Sequence, residues 1–388
     1  MSRSHSWPDE HWNWPIPVTH KHGLRHGNLC FVGGQVDLSP EGVVRHHGDL
    51  DAQLPVVIGH LRRVLDGLGV TLAALVKIVV FYVNDGTVDE QTLLDRVAGE
   101  LAACRPAVTT VPVPYLAYPG MLVEIEGVAA SGRVDRVGDG PFPAAVRCGD
   151  LIWTSAQDAS GPDIVAQSER MMQRLDQVLG AFGADLSDVV KFDGYYVGEG
   201  TAEDWEVAAR VRARYFPEPG PAATGLPLPR LDRLDRLIKM DVWAMRSPDG
   251  ARLPRRHCWP EGHWDWPIHL PYKHGCACQG MIFVGGQVSL TPRGEVIDPG
   301  QLEAQTRTAM RNIERVLAGL GAGIDDVVKV NAFYVGDGSG DDLHANLAIR
   351  SACFTEPGPA TTGVSLPTLA YRDMLIGIEV IAMPDRGG

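Results

Sequence analysis

The side chains best suited to chemistry gather in two tryptophan-rich segments. His11 lies between Trp7 and the pair Trp12 and Trp14, and the same arrangement returns as His263 among Trp259, Trp264 and Trp266. Each segment leads into a Lys-His-Gly step, Lys21-His22-Gly23 and Lys273-His274-Gly275. An imidazole changes charge near neutral pH, so His22 and His274 are candidates for moving protons. The indoles Trp14 and Trp266 are candidates for the aromatic walls of two ligand clefts. A compatible alternative is an arm pinned by its tryptophans against a neighbouring part of the chain. A metal centre on His11, His20 and His22 is not expected, because no carboxylate or cysteine falls at a diagnostic spacing. The seven cysteines are scattered, and Cys276 and Cys278 are too close for a CxxC pair, so they read as small core residues. The Gly-Gly-Gln runs at Gly33 and Gly285 lack the GxxxxGK[ST] pattern of a phosphate loop. No cofactor is expected.

Around these residues the chain is ordinary globular material. Of its 388 residues 45% are apolar and 21% charged, enough to build buried cores. The 48 acidic residues outnumber the 35 Lys and Arg, for a net charge of −13. That balance disfavours general binding to nucleic-acid phosphates or anionic lipid. No run approaches the roughly 20 apolar residues of a membrane helix, and no apolar leader follows Met1. These features predict a reduced, soluble, cytoplasmic protein.

Internal repetition sets the architecture. Phe31-Val-Gly-Gly-Gln-Val returns as Phe283-Val-Gly-Gly-Gln-Val, 252 residues later. At that offset both tryptophan segments also match, as do Val76-Lys77 with Val328-Lys329 and Phe81-Tyr-Val with Phe333-Tyr-Val. A fainter copy lies between, carrying Ile152-Trp-Thr-Ser-Ala-Gln, Val189-Val-Lys and Gly220-Pro-Ala-Ala-Thr. It is eight residues shorter between Gln157 and Lys191 than the outer copies are over the matching stretch. Each unit, roughly 130 residues long, is a comfortable domain size.

Within a unit the pattern is most legible in the third copy. Met310, Ile313, Val316, Leu317 and Leu320 recur at helical spacing on one face, which predicts a helix over Leu302–Leu320. A strand is predicted over Val327–Val335, a second helix over Asp342–Phe354, and closing strands over Thr361–Leu366 and Met374–Met383. The order ββαβαββ predicts an α+β layer with both helices on one face of a sheet.

These pieces carry a resemblance. The (Ser/Gly)-Gly-Gln strand, the Asp-Val-Val-Lys strand, the Pro-Ala-x-Thr strand and the closing Val123-Glu-Ile-Glu-Gly-Val-Ala resemble the Rid (reactive intermediate deaminase, YjgF) family in three passes. The resemblance implies an α+β fold of three tandem Rid-like, chorismate-mutase-like ββαβαββ domains. These are expected at 1–130, 131–247 and 248–388, closed into a single-chain pseudo-trimer with helices outside. Proteins of this kind are usually homotrimers with clefts between subunits. Fusion would place the clefts within one chain, with further homo-oligomerisation left open.

Carried over residue by residue, the resemblance scatters the site. The family's carboxylate-binding arginine maps onto Val108, Ala223 and Thr361, so it is missing from all three copies. Arg105 lies three positions before Val108, on the opposite face of an extended strand. The family glutamate survives only as Glu124, with Lys239 and Gly377 in its place elsewhere. Its strand neighbours Glu126, Asp241 and Glu379 are read as second site carboxylates or exposed residues. A family tyrosine maps onto His20, Phe142 and Tyr272, and a serine onto Gly33, Ser155 and Gly285. Glu124, Tyr272 and Ser155 are thus the implied catalytic residues. His20, His22, Phe142, His274, Val108, Thr109, Trp14 and Trp266 are the implied substrate contacts. Gln35, Gln157 and Gln287, present in every copy, are expected to do structural work. The implied activity is cofactor-independent hydrolysis of a labile enamine, imine or related C–N or enol compound, and the missing arginine points to a neutral ligand. A chorismatase-like hydrolase and a non-catalytic metabolite-binding scaffold are the alternatives.

Overall fold

The computed structural model describes residues 3–86, 88–102 and 104–385. The first third comprises β1 (Arg3–Ser6), β2 (Gly23–His26), β3 (Leu29–Gln35), α1 (Leu50–Gly67), β4 (Leu75–Val83), α2 (Glu90–Leu101), β5 (Ala107–Val113) and β6 (Val123–Ala130). The middle third comprises β7 (Val134–Val137), β8 (Ala145–Cys148), β9 (Leu151–Thr154), β10 (Gln157–Asp158), α3 (Ile164–Gly180), β11 (Val189–Val197), α4 (Ala202–Ala213), β12 (Ala222–Leu228) and β13 (Ile238–Met245). The last comprises β14 (Arg255–Cys258), β15 (Gly275–Cys278), β16 (Met281–Gln287), α5 (Leu302–Gly319), β17 (Val327–Val335), α6 (Asp341–Ala352), β18 (Ala360–Leu366) and β19 (Ile376–Ala382).

The outer sheets have the same strand order, β1-β2-β3-β6-β4-β5 and β14-β15-β16-β19-β17-β18. β4 and β5, like β17 and β18, run parallel because a helix carries the chain back between them, while every other neighbour in these two sheets is antiparallel. The predicted strand over Val327–Val335 is β17, and the helix predicted from Leu302 is α5, ending one residue early. An unpredicted edge strand, β1 or β14, precedes the ββαβαββ unit in both outer domains.

Each sheet buries one face beneath its two helices. In the first domain Leu54, Ile58, Leu61 and Leu65 of α1 pack on Val32, Ile78, Val80 and Ile125. The opposite faces meet one another, joining Phe31, Trp153, Trp243, Phe283 and Val328 from all three domains in one core. The contacts are cyclic: β3 meets β18, β16 meets β12, and β9 meets β5.

Charged residues complete the centre. Lys77 reaches Asp241 at 3.0 Å, Lys191 reaches Glu379 at 3.0 Å, and Lys329 reaches Glu126 at 2.8 Å. Each pair joins two domains, and each acid also accepts a hydroxyl proton, from Thr109, Thr224 and Thr362 in turn. Glu126, Asp241 and Glu379 are therefore not exposed: they line a central cavity of about 40 Å³ rather than the Glu124 cleft. They are buried rungs of an ionic ring. Strand pleat set the face correctly, but the distance along the strand moves these side chains from the cleft to the centre.

Candidate functional site

Three inter-domain junctions follow from the cyclic contacts, and each takes its parts from two domains. The Glu124 cleft combines β3 and β6 of the first domain with β18 and α6 of the third. The Tyr272 cleft combines β16 of the third domain with β12 of the second. At the Ser155 junction the second domain meets β5 of the first: Ser155 accepts from the Val108 amide at 2.8 Å and donates to the Pro143 carbonyl at 2.6 Å. Glu124, Tyr272 and Ser155 thus lie in three different places and form no common constellation.

Glu124 sits in an unusual setting. The Gly33-Gly34 bulge interrupts β3–β6 pairing between Val32 and Gln35, and opens space beneath the carboxyl. A Cβ on Gly34 would overlap the Glu124 Oε1 atom. The carboxyl makes no ion pair among the described residues; burial, and then the nearby Glu126, push its pKa up to about 8. It therefore keeps its proton at neutral pH. Trp12, Trp14 and Tyr118 from its own domain, with Leu343, Leu347 and Arg350 from the third, close a cavity over it. About 30 Å³ is open to the centre of a water molecule, room for roughly two waters. Tyr118 bridges the mouth through a 2.8 Å hydrogen bond to His344 of α6.

Arg350 was not singled out in the sequence. It is fully buried, donating Nε to Asn346 at 2.9 Å and Nη1 to Thr361 at 3.0 Å, while Nη2 has no partner among the described residues. Burial lowers its pKa to about 10, so it stays charged at neutral pH. Thr361 lies on β18, and the Arg350 guanidinium reaches it from α6. The available signal was positional: Arg212 and Arg350 both stand nine residues before the proline of a Pro-Ala pair.

The other implied contacts divide between cleft and arm. Trp14 and Trp266 line the two clefts. His22 stacks on Trp14 at 5.1 Å and bonds the Trp12 carbonyl at 3.0 Å; His274 bonds the Trp264 carbonyl at the same distance. His11 and Trp12 both bond the Gln35 side-chain oxygen, as His263 and Trp264 do for Gln287. The arms are therefore structural anchors and cleft walls together. His20 is buried against Phe354, with Arg350 close enough to help depress its pKa, after burial, to about 3. Phe142 packs beside the first domain's helix-covered core, which also includes Val108. Thr109 is a correction: its hydroxyl bonds Asp241 and the Lys77 ammonium in the central ring, and it lines neither the Glu124 cleft nor the Tyr272 cleft. Lys239, at the glutamate position of the middle copy, bonds Thr110 at 3.1 Å and approaches Glu90 at 3.5 Å. Arg105 instead bonds the Gly138 and Gly140 carbonyls.

Two expected results follow locally. Gly34→Ala should displace the Glu124 carboxyl from its place in the cavity, as a crystal structure of the variant would show, while circular dichroism stays native. Second, burial lowers His11 to about 4, with Arg63 adding to it, while burial and then His11 lower His60 to about 3 and His22 well below its usual value. Between those values and 6.5 the unfolded chain binds protons that the folded one does not. Stability should therefore fall as pH drops below about 6.5, by up to about 1.4 kcal/mol per pH unit for each histidine. Melting temperature against pH checks this, and His60→Phe should flatten the slope.

Comparison with known proteins gives a consistent picture. The Endoribonuclease L-PSP family pattern matches residues 17–131, 136–246 and 267–384. A RutC family protein of Pyrococcus abyssi is 34% identical over 112 residues, spanning 29% of this chain and 85% of the relative. The 2-iminobutanoate/2-iminopropanoate deaminase of Escherichia coli is 33% identical over 117 residues, spanning 29% of this chain and 87% of that enzyme. Among solved structures, a chorismatase superposes with a TM-score of 0.56 at 14% identity, covering 80% of this chain and 93% of its own. That last likeness concerns the fold alone. No helix among the described residues is long and apolar enough to cross a membrane.

Proposed function

Because the chain belongs to the Rid (YjgF, Endoribonuclease L-PSP) family through three repeats, we propose that it is a cofactor-independent hydrolase of a small imine or enamine, working in the Glu124 cleft. The observation that carries this reading is a buried, unpaired carboxyl with a pKa near 8, facing a cavity that also presents the Arg350 guanidinium. An imine deaminase among the relatives supports the reaction class.

In the proposed reaction Glu124 starts as an acid and protonates the imine nitrogen. The carboxylate left behind takes a proton from water as its oxygen adds to the carbon. The same carboxyl then protonates the amino group of the carbinolamine, and ammonia leaves. The carbinolamine hydroxyl proton returns to Glu124 as the carbonyl forms, so the site is restored. Trp12 and Trp14 limit bulk water, which strengthens each charge interaction inside. The missing strand arginine suggested a neutral ligand, but Arg350 supports an anionic group on the substrate through its free Nη2.

A chorismatase-like reaction on a dianion is less well supported, since Arg350 is the one arginine lining this cleft. The ribonuclease activity in the family description is not part of this reading: a net charge of −13 and cavities of this size do not suit an RNA strand. We place the domain limits at 1–130, 131–247 and 248–388, and read the ring of domains as a single-chain pseudo-trimer in the cytoplasm. The test is ammonia release from freshly generated 2-iminobutanoate and from a neutral imine. Release from neither, by folded protein, overturns the reading and favours a scaffold.

A further inference from the structure

The Glu124 cavity, about 30 Å³, holds no more than roughly two waters and so cannot take an imine as it stands. One wall has to move. Trp12 and Trp14 are buried, and the Trp12 indole is tied to Gln35 at 3.2 Å. Leu343, Leu347 and Arg350 are buried along α6. Of the described side chains that line the cavity, Tyr118 alone is not buried. Its backbone is fixed: Leu116, Ala117 and Met121 on either side are buried, and Gln53 donates to the Gly120 carbonyl at 2.7 Å. Opening is therefore a rotation of the Tyr118 ring, which a side chain bordering solvent makes rapidly once released.

Two features hold that ring closed. Gly340 begins α6 beneath it with φ at +91°, and a Cβ there would fall 2.8 Å from Tyr118 Cε1. Only glycine lets the ring lie so close. The hydroxyl then bonds Nε2 of His344, in the first turn of α6, at 2.8 Å. The Tyr272 cleft lacks both features. There Tyr371 follows Leu369-Ala370 as Tyr118 follows Leu116-Ala117, but it faces α4 of the second domain. That helix starts from Thr201 instead of a glycine and carries Trp205 where α6 carries His344. The Tyr371 ring lies 6.1 Å from Trp205, and its hydroxyl has no partner among the described residues. The latch stands at the cleft that keeps the glutamate and not at the one that lost it. We propose that Tyr118 is a gate on the Glu124 cleft, latched to His344 across two domains, and that substrate enters only after the latch breaks. The substrate takes the space that the ring gives up, so the latch competes with binding and raises KM. Tyr118 and His344 are positioning residues, acting on access rather than on the chemistry.

The gate rests on the Glu124 reading for its substrate, but its test needs no turnover. At about pH 6, where Glu124 holds its proton, the full chain is treated with a water-soluble carbodiimide and glycine methyl ester. Amidation of Glu124 is followed by peptide mass spectrometry. Loss of one hydrogen bond raises the open fraction about two- to tenfold, so Tyr118→Phe should be labelled that much faster than wild type. His344→Leu should match it, and the double variant should add nothing further. Tyr371→Phe, which has no such bond to lose, should be labelled at the wild-type rate. In ammonia release, Tyr118→Phe should lower KM by the same factor. Unchanged labelling in Tyr118→Phe, additive effects of the two substitutions, or a fall in kcat with KM unmoved would overturn the gate. Faster labelling without any ammonia release would leave the gate standing and sink only the catalytic reading. Ammonia release with unchanged labelling would sink the gate alone.

Discussion

Glu124→Gln is expected to lower kcat/KM at least a hundredfold, the size of a general acid–base contribution of roughly 10²–10⁴. Glutamine keeps the shape and the neutral charge that Glu124 has at pH 7, but it cannot release or recapture a proton. The wild-type rate should carry the carboxyl's own titration. Since the acid form begins the reaction, kcat/KM should be level below the pKa of about 8 and fall above it. A rate that instead rises through pH 8 would mean that Glu124 acts first as a base, and the order of proton transfers would have to be reversed.

Stability should move the other way. The folded pKa of about 8 exceeds the ordinary carboxyl value of 4.5, so between these the folded state binds the extra proton. By linkage, Glu124 makes the fold progressively less stable as pH rises from 4.5 to 8. Glutamine carries no such penalty. The variant should therefore melt higher than wild type at pH 8, with the difference vanishing toward pH 4. Lost activity with gained stability is what a functional carboxyl predicts; a structural one would lose stability at every pH.

Lys191→Met should give the largest loss of stability, about 3–5 kcal/mol by urea denaturation. Lys191 is buried against both Asp193 and Glu379. Burial alone would lower the ammonium's pKa, but those two carboxylates outweigh it and hold the proton on. Remove the lysine, and two acids from different domains face each other without a cation. Burial and then Glu379 already raise Asp193 well above its usual range. Adding Asp193→Asn should return part of the loss, because a buried acid left without its cation is replaced by a neutral amide. An unchanged midpoint in Lys191→Met would show that the central ring does not hold the domains together.

The limit between what could be read and what could not follows the range of the interactions. Backbone periodicity is local, so β17 emerged with its observed bounds and α5 to within a residue at its end. Duplication is a property of the chain itself, and it predicted matching sheets at both ends of the molecule. Glu124 was visible because its strand motif is short and continuous.

What remained hidden depends on pairs far apart in sequence. Thr109 belongs to Asp241 rather than to a ligand, and Glu126 to Lys329, since the three sheets converge on one another. Arg350 faces Glu124 only because α6 of the last domain covers a strand of the first. The strand motif carries no arginine at Val108, Ala223 or Thr361, but charge in a cleft is set by whatever reaches it in space. Sequence alone therefore determined the family and the three repeated folds. Tertiary structure decided which copies share a cleft, which acids are buried in interdomain pairs, and that Arg350 reaches the Glu124 cleft. Those outcomes are set by the burial and pairing of charges between domains, which no local pattern encodes.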